Sequence, residues 1–264
     1  MKYIFHTFCL SLMLFSCSSE KKSQEIPADP SLETESLSSK TTVIEEKSAD
    51  CSAEPCTKVS ISYPSFEGNG ENALALNKII KRRITKILSE DYVMDATGNE
   101  NIEQLIQLFL KSYDDFKESF PESNTPWTLD VEITKKFENN AVVSLEITTN
   151  SYTGGAHPNT FISFLNIRKT DSKDGSLSDF ISNTSELTKL LEQQFRKEYD
   201  LAGNASLSES GFNFDNDQFK LPDTFGFSKQ GMVFYYNSYE IAPYSEGPTQ
   251  IVIPYARLTD IVKF

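Results

Sequence analysis

Apolar residues recur along this chain first with a helical period and then with a period of two. Leu76, Ile79, Ile80, Ile84, Ile87 and Leu88 share one helical face, while Lys78, Lys81, Arg82 and Lys86 fall mostly elsewhere. A second stripe, Ile102, Leu105, Ile106, Phe109, Tyr113, Phe116 and Phe120, predicts another helix that stops by Pro121. In "WTLDVEIT", Trp127, Leu129, Val131 and Ile133 then alternate with Thr128, Asp130, Glu132 and Thr134, as a strand with one buried face requires.

The remaining elements follow from turn chemistry. "TKVSISYP" reads as the first strand, ahead of the glycine-containing turn "EGNGEN". After Asn139-Asn140 comes an alternating strand with Val143, Leu145 and Ile147, and "TFISFLNI" supplies the next, so an antiparallel meander is expected. A third helix starts at Asn183 with Glu186 three residues on, resembling a capping box, and buries Leu187, Leu190, Leu191 and Phe195. Two strands around Lys229-Gln230-Gly231, a strand from Thr249 to Ile253 and a short helix from about Tyr255 complete the chain. The fold class is therefore α+β: antiparallel sheets with helices packed on one face, arranged as two small interlocked modules.

Composition divides the chain differently. Residues 18–56 hold nine serines, nine acidic residues against four lysines, and no aromatic. Such a segment buries too little apolar surface to fold alone, so 17–56 reads as a disordered acidic, Ser-rich tether. The net charge of −13 disfavours nucleic acid and anionic lipid and favours cationic partners. An acidic surface also serves solubility alone.

The first residues predict an address. Lys2, an apolar run from Tyr3 to Phe15 and "LFSC" form a secretory signal over 1–16 that ends at a lipidation residue, Cys17. The apolar run is shorter than the roughly 20 residues a bilayer span needs. An extracytoplasmic protein anchored to the cell membrane by lipid is expected, on the outer membrane if the cell is Gram-negative. Of the other cysteines, Cys9 leaves with the signal, and Cys51 and Cys56 in "CSAEPC" are expected to form a disulfide outside the cytoplasm.

Candidate chemistry concentrates in two loops. "SYTGGAHPNT" carries Tyr152, Gly154, Gly155, His157, Pro158 and Asn159, and His157 is the only histidine beyond the signal. The glycines permit positive φ and Pro158 pushes His157 toward an extended conformation, which makes a shaped connection. Catalysis would use His157 as base for Ser151, Thr153 or Thr160 with an acidic partner, but no G-x-S-x-G elbow is present. No metal site is expected with no second histidine to join it, and no cofactor is implied. The second loop has Tyr239, Pro243, Tyr244, Glu246, Gly247 and Pro248, with Glu240 and Tyr255 flanking. Its tyrosines suit interface anchoring, sugar stacking or plain packing.

Together "SYTGGAHPNT" and "YEIAPYSEGPTQIVIPYARL" resemble the C-terminal module of the RsiV family of lysozyme-sensing anti-sigma-V factors, over 151–264. The strand-helix-helix region over 57–150 resembles the N-terminal module of PdaC-type peptidoglycan deacetylases. The resemblance implies a two-module extracytoplasmic lipoprotein, with lysozyme binding as the RsiV module's job. Neither sigma-factor control nor deacetylase chemistry is expected, because a cleaved signal replaces the membrane span and a catalytic domain with paired histidines is missing. The module's likeness to part of an Hsp70-type ATPase carries no nucleotide chemistry here, for there is no G-x-x-x-x-G-K-[ST] loop. The reading is a non-enzymatic envelope binding protein for a cationic protein such as lysozyme or for cell-wall glycan. The alternative is an envelope hydrolase using His157 with an acidic partner.

Overall fold

The computed structural model describes residues 37–264 apart from 50, 52–54, 69 and 124. The expected signal, Cys17 and most of the tether lie outside the described residues. Among the described residues no helix is long and apolar enough to cross a membrane.

Six strands form the larger sheet in the order β1-β2-β3-β4-β5-β6: β1 (Ser39–Lys47), β2 (Lys58–Phe66), β3 (Thr128–Glu138), β4 (Val142–Tyr152), β5 (Asn159–Arg168) and β6 (Lys173–Asp174). Neighbours pair antiparallel except β2 and β3, which are parallel because two helices intervene, α1 (Glu71–Ile87) and α2 (Ile102–Ser119). Both helices cover one face. Leu76, Ile80 and Ile84 of α1 and Leu105, Ile106 and Phe109 of α2 meet Ile61, Val131, Leu145 and Ile147 in one core. Asn101 caps α2 with a full capping box to Gln104.

The second module holds α3 (Leu177–Phe180), α4 (Thr184–Glu198) and a three-stranded antiparallel sheet, β7 (Thr224–Phe227), β8 (Gly231–Tyr236) and β9 (Thr249–Pro254). Asn183 caps α4, its side chain accepting from the Glu186 amide at 3.1 Å as the sequence pattern implies. Leu187, Leu191 and Phe195 point into a core with Phe227, Phe234, Tyr236 and Ile253.

The two modules interlock through β4. Val143, Leu145 and Ile147 enter the first core, while Val142 joins Phe137 in the second. So β4 is buried on both faces and not on one. Polar groups fix the register between the sheets: Ser144 Oγ donates to Asn166 Oδ1 at 2.6 Å and accepts from the Phe227 amide at 3.0 Å, and Asn166 Nδ2 donates to the Phe225 carbonyl at 2.9 Å. Gly226 lets Phe164 lie flat against β7, since a Cβ there would sit 2.1 Å from the ring.

Two expectations are corrected. Residues 39–47 are not disordered spacer but strand β1, paired with β2 over nine positions. An edge strand gains order from its backbone ladder, so its low apolar content hid it: only Thr42 and Ile44 are even half-buried. "TKVSISYP" is consequently the second strand. The module boundary expected at 150/151 falls inside β4, because β5 continues the same sheet.

Candidate functional site

Residues 153–158 connect β4 to β5, and 237–248 connect β8 to β9. Gly154 and Gly155 adopt φ of +100° and +99°, the left-handed region that a Cβ disfavours, so the glycines are what allow this turn. In the other loop Pro243 precedes a 3-10 turn, Tyr244–Glu246, which closes where Gly247 takes φ +70°. Tyr239 also has φ +70°, an uncommon conformation for a residue with a large side chain.

These two loops meet. His157 stacks on Tyr244 with ring centroids 4.0 Å apart and planes 20° off parallel. Tyr239 sits 5.4 Å from Tyr244, and its hydroxyl lies 3.3 Å from His157 Nε2. His157 Nδ1 is 2.9 Å from the Pro158 carbonyl. A carbonyl only accepts, so His157 Nδ1 donates to it, while Nε2 faces the Tyr239 hydroxyl. The Tyr244 hydroxyl also donates to Pro158, at 3.4 Å, and Tyr152 donates to the Gly155 carbonyl at 3.1 Å. Despite these contacts the cluster stays open to solvent: Tyr239 is 62% exposed and Tyr244 39%.

Below the cluster, Asn237 anchors the second loop to β5. Its Oδ1 accepts from the Ile162 amide and its Nδ2 donates to the Ile162 carbonyl. Glu240 in turn accepts from the Asn237 amide at 2.8 Å. Burial, seconded by repulsion from Asp223, pushes the Glu240 carboxyl above its ordinary range, against the pull of the Asn237 hydrogen bond and Lys220. Glu246 and Pro248 are exposed on the rim.

The structure does not bring every flagged residue here. Tyr255 turns to the second core, where it rings with Phe137 at 5.8 Å and donates to the Ser228 carbonyl. Asn159 opens β5 opposite Ser151. Of the hydroxyls weighed as nucleophiles, Ser151 is engaged with Tyr92 at 3.3 Å and Thr160 with Asn150 at 2.7 Å. What meets His157 Nε2 is the Tyr239 phenol. Among the described residues no group of three or more His, Cys, Asp or Glu is placed to hold a metal ion. Cys51 and Cys56 are disulfide-bonded, with Cα atoms 5.5 Å apart. Sequence reasoning missed Asn237, whose pairing with Ile162, 75 residues away, left no local signal.

Comparison with known proteins finds two family matches. Residues 51–160 match the family described as Deacetylase PdaC, and residues 178–256 match the one described as Protein of unknown function (DUF3298). The chain thus carries a PdaC-type region followed by a DUF3298-type region. No curated protein matches the sequence. The fold resembles the crystal structure of a DUF3298-family member from Bacteroides fragilis, at 21% identity and a TM-score of 0.66, covering 86% of this chain and 94% of that one. A DUF3298 family protein from Pseudomonas aeruginosa is similar at 20% identity and a TM-score of 0.64, covering 86% and 95%.

Proposed function

We propose that this chain is a lipid-anchored extracytoplasmic binding protein of the cell envelope that holds a cationic protein such as lysozyme on the surface formed by His157, Tyr239 and Tyr244. The observation that carries the reading is the convergence of two loops 82 residues apart into one exposed stacked cluster. Aromatic anchors in a fixed arrangement suit an interface, because little side-chain entropy remains to be lost on binding. The net charge of −13 and the nearby Glu240 and Glu246 favour a basic partner. The PdaC and DUF3298 matches and the resemblance to lysozyme-sensing RsiV modules support an envelope role.

Binding is preferred to catalysis because the basic nitrogen of His157 is occupied by a phenol, and phenols are poor nucleophiles near neutral pH. Titration calorimetry of the full chain with lysozyme tests the reading. Binding that weakens as salt rises, and at least about tenfold with Tyr244→Ala at unchanged melting temperature, is expected. Absence of binding, or equal affinity in the folded variant, overturns it. Wall glycan on the same surface is the second reading, favoured only by the ability of tyrosine rings to stack on sugars.

A further inference from the structure

The larger sheet ends on one side at β6, two residues long, and on the other at β1, which runs for nine. Open N–H and C=O groups along a sheet edge invite pairing with another chain, and proteins blunt such edges with very short strands, bulges or proline. β6 is short, and β9, at an edge of the smaller sheet, ends in Pro254. β1 uses none of these devices: its nine pairs with β2 run without a shift of register, and no proline lies between Ser39 and Lys47.

The hydrogen bonds at its two ends show which groups are left for the outer edge. The Ser48 amide donates to the Thr57 carbonyl at 3.0 Å, and the Glu67 amide to the Ser38 carbonyl at 2.9 Å. Both pairs keep the β1–β2 register, so the even-numbered residues from 38 to 48 turn their backbone groups to β2. Those of Thr41, Val43 and Glu45 therefore face away from the sheet. Among the described residues no strand pairs with that edge. Val43, apolar, is 55% exposed on it.

We infer that β1 pairs antiparallel with the β1 of a second copy of this chain, about a twofold axis through Val43, joining two six-stranded sheets edge to edge. Charge complementarity selects this partner and this register. With the axis at Val43 all nine residues are paired, and Lys40 lies opposite Glu46 of the second copy on both sides of the axis. These are non-hydrogen-bonded positions, where facing side chains approach most closely. Ser39 and Thr41 stand opposite Lys47 and Glu45, so no like charges face each other. With the axis at Thr42 or Ile44, Lys40 would meet Ile44 or Ser48 and the charge pairs would be lost; at Glu45 or Glu46, like charges would meet. Both Lys40 and Glu46 are exposed, and none of the ion pairs among the described residues engages either. Ile44, which already packs against the first core, would lie beside Thr42 of the second copy, and Val43 would meet its own counterpart on the other face.

Sedimentation equilibrium of the full chain, with residue-resolved amide exchange by NMR at rising concentration, tests it. One strand pair makes a small interface, so a dimer with a Kd of about 10–100 µM is expected. As it forms, exchange at the Thr41, Val43 and Glu45 amides should slow at least about tenfold. Lys40→Glu and Glu46→Lys should each weaken the dimer about tenfold, because the twofold axis turns two attractive pairs repulsive at once. The variant carrying both changes restores opposite charges and should recover affinity to within about threefold of the parent. A chain that stays monomeric to about 1 mM overturns the inference. So does a dimer that leaves the three outer amides unchanged, single reversals without effect, or a double variant no tighter than the single ones. Protection of those amides already at the lowest concentration would mean that another segment of this chain covers the edge, and also overturns it.

Discussion

Asn237 gives Ile162 both halves of a strand partner: its Oδ1 accepts from the Ile162 amide at 2.7 Å, and its Nδ2 donates to the Ile162 carbonyl at 3.0 Å. The pairing ties the second loop to β5 only a few residues from His157, so the two loops share a footing. Two residues beyond Asn237, Tyr239 enters its positive-φ conformation.

Asn237→Ala should therefore cost stability and loosen the cluster together. Two hydrogen bonds are lost and the Ile162 groups are left partly buried, which is worth about 2–3 kcal/mol. Denaturant unfolding checks the stability. Faster amide exchange at residues 238–247 relative to β8 checks the loosening.

The disulfide acts on the edge of the sheet. Cys51 and Cys56 lie in the connection between β1 and β2, where the Ser48 amide also donates to the Thr57 carbonyl at 3.0 Å. Replacing both cysteines by serine removes a short cross-link worth about 2 kcal/mol. Because β1 buries little, the loss should appear as faster hydrogen exchange in Ser39–Lys47 while α1, α2 and β4 keep their protection. Uniform acceleration across the sheet would contradict this.

Glu100 binds back to its own turn, its Oε1 accepting from Thr97 Oγ1 at 2.7 Å and from the Thr97 amide at 3.0 Å, and its Oε2 from the Gly98 amide at 2.9 Å. These bonds hold its carboxyl down from 4.5 to about 2, the Thr97 hydroxyl contributing most. A depressed carboxyl stabilises fully above its unfolded value, and the benefit is lost as pH falls from about 4.5 toward 2. A side-chain titration followed by NMR should place Glu100 below the exposed glutamates. In Glu100→Gln the 97–101 turn should be looser at pH 7, and the difference from the parent should shrink as pH falls through about 2.

Where local pattern decided structure, the sequence was legible. The stripes of α1 and α2, the alternation of β3 and the cap at Asn183 rest on neighbours three or four residues away or on strict alternation. β1 was illegible because a ladder to β2 orders it, and ladders leave no apolar trace. β4 departed from one-sided burial because a second module covers its other face, which depends on residues such as Phe227, 83 positions beyond Ser144. In the candidate site the glycines and His157 could be singled out, but their meeting with Tyr239 and Tyr244 is a tertiary fact. Asn237 looks ordinary in sequence, since its role lies in what surrounds it.

On the proposed reading the two loops form one recognition surface. Hydrogen exchange of the full chain with and without saturating lysozyme tests it most directly, because it locates the contact without relying on a substitution. Protection should appear together in residues 152–159 and 238–248 and recede as salt is raised. Protection confined to other elements such as β1 or α4, with both loops exchanging as in the free protein, would contradict it.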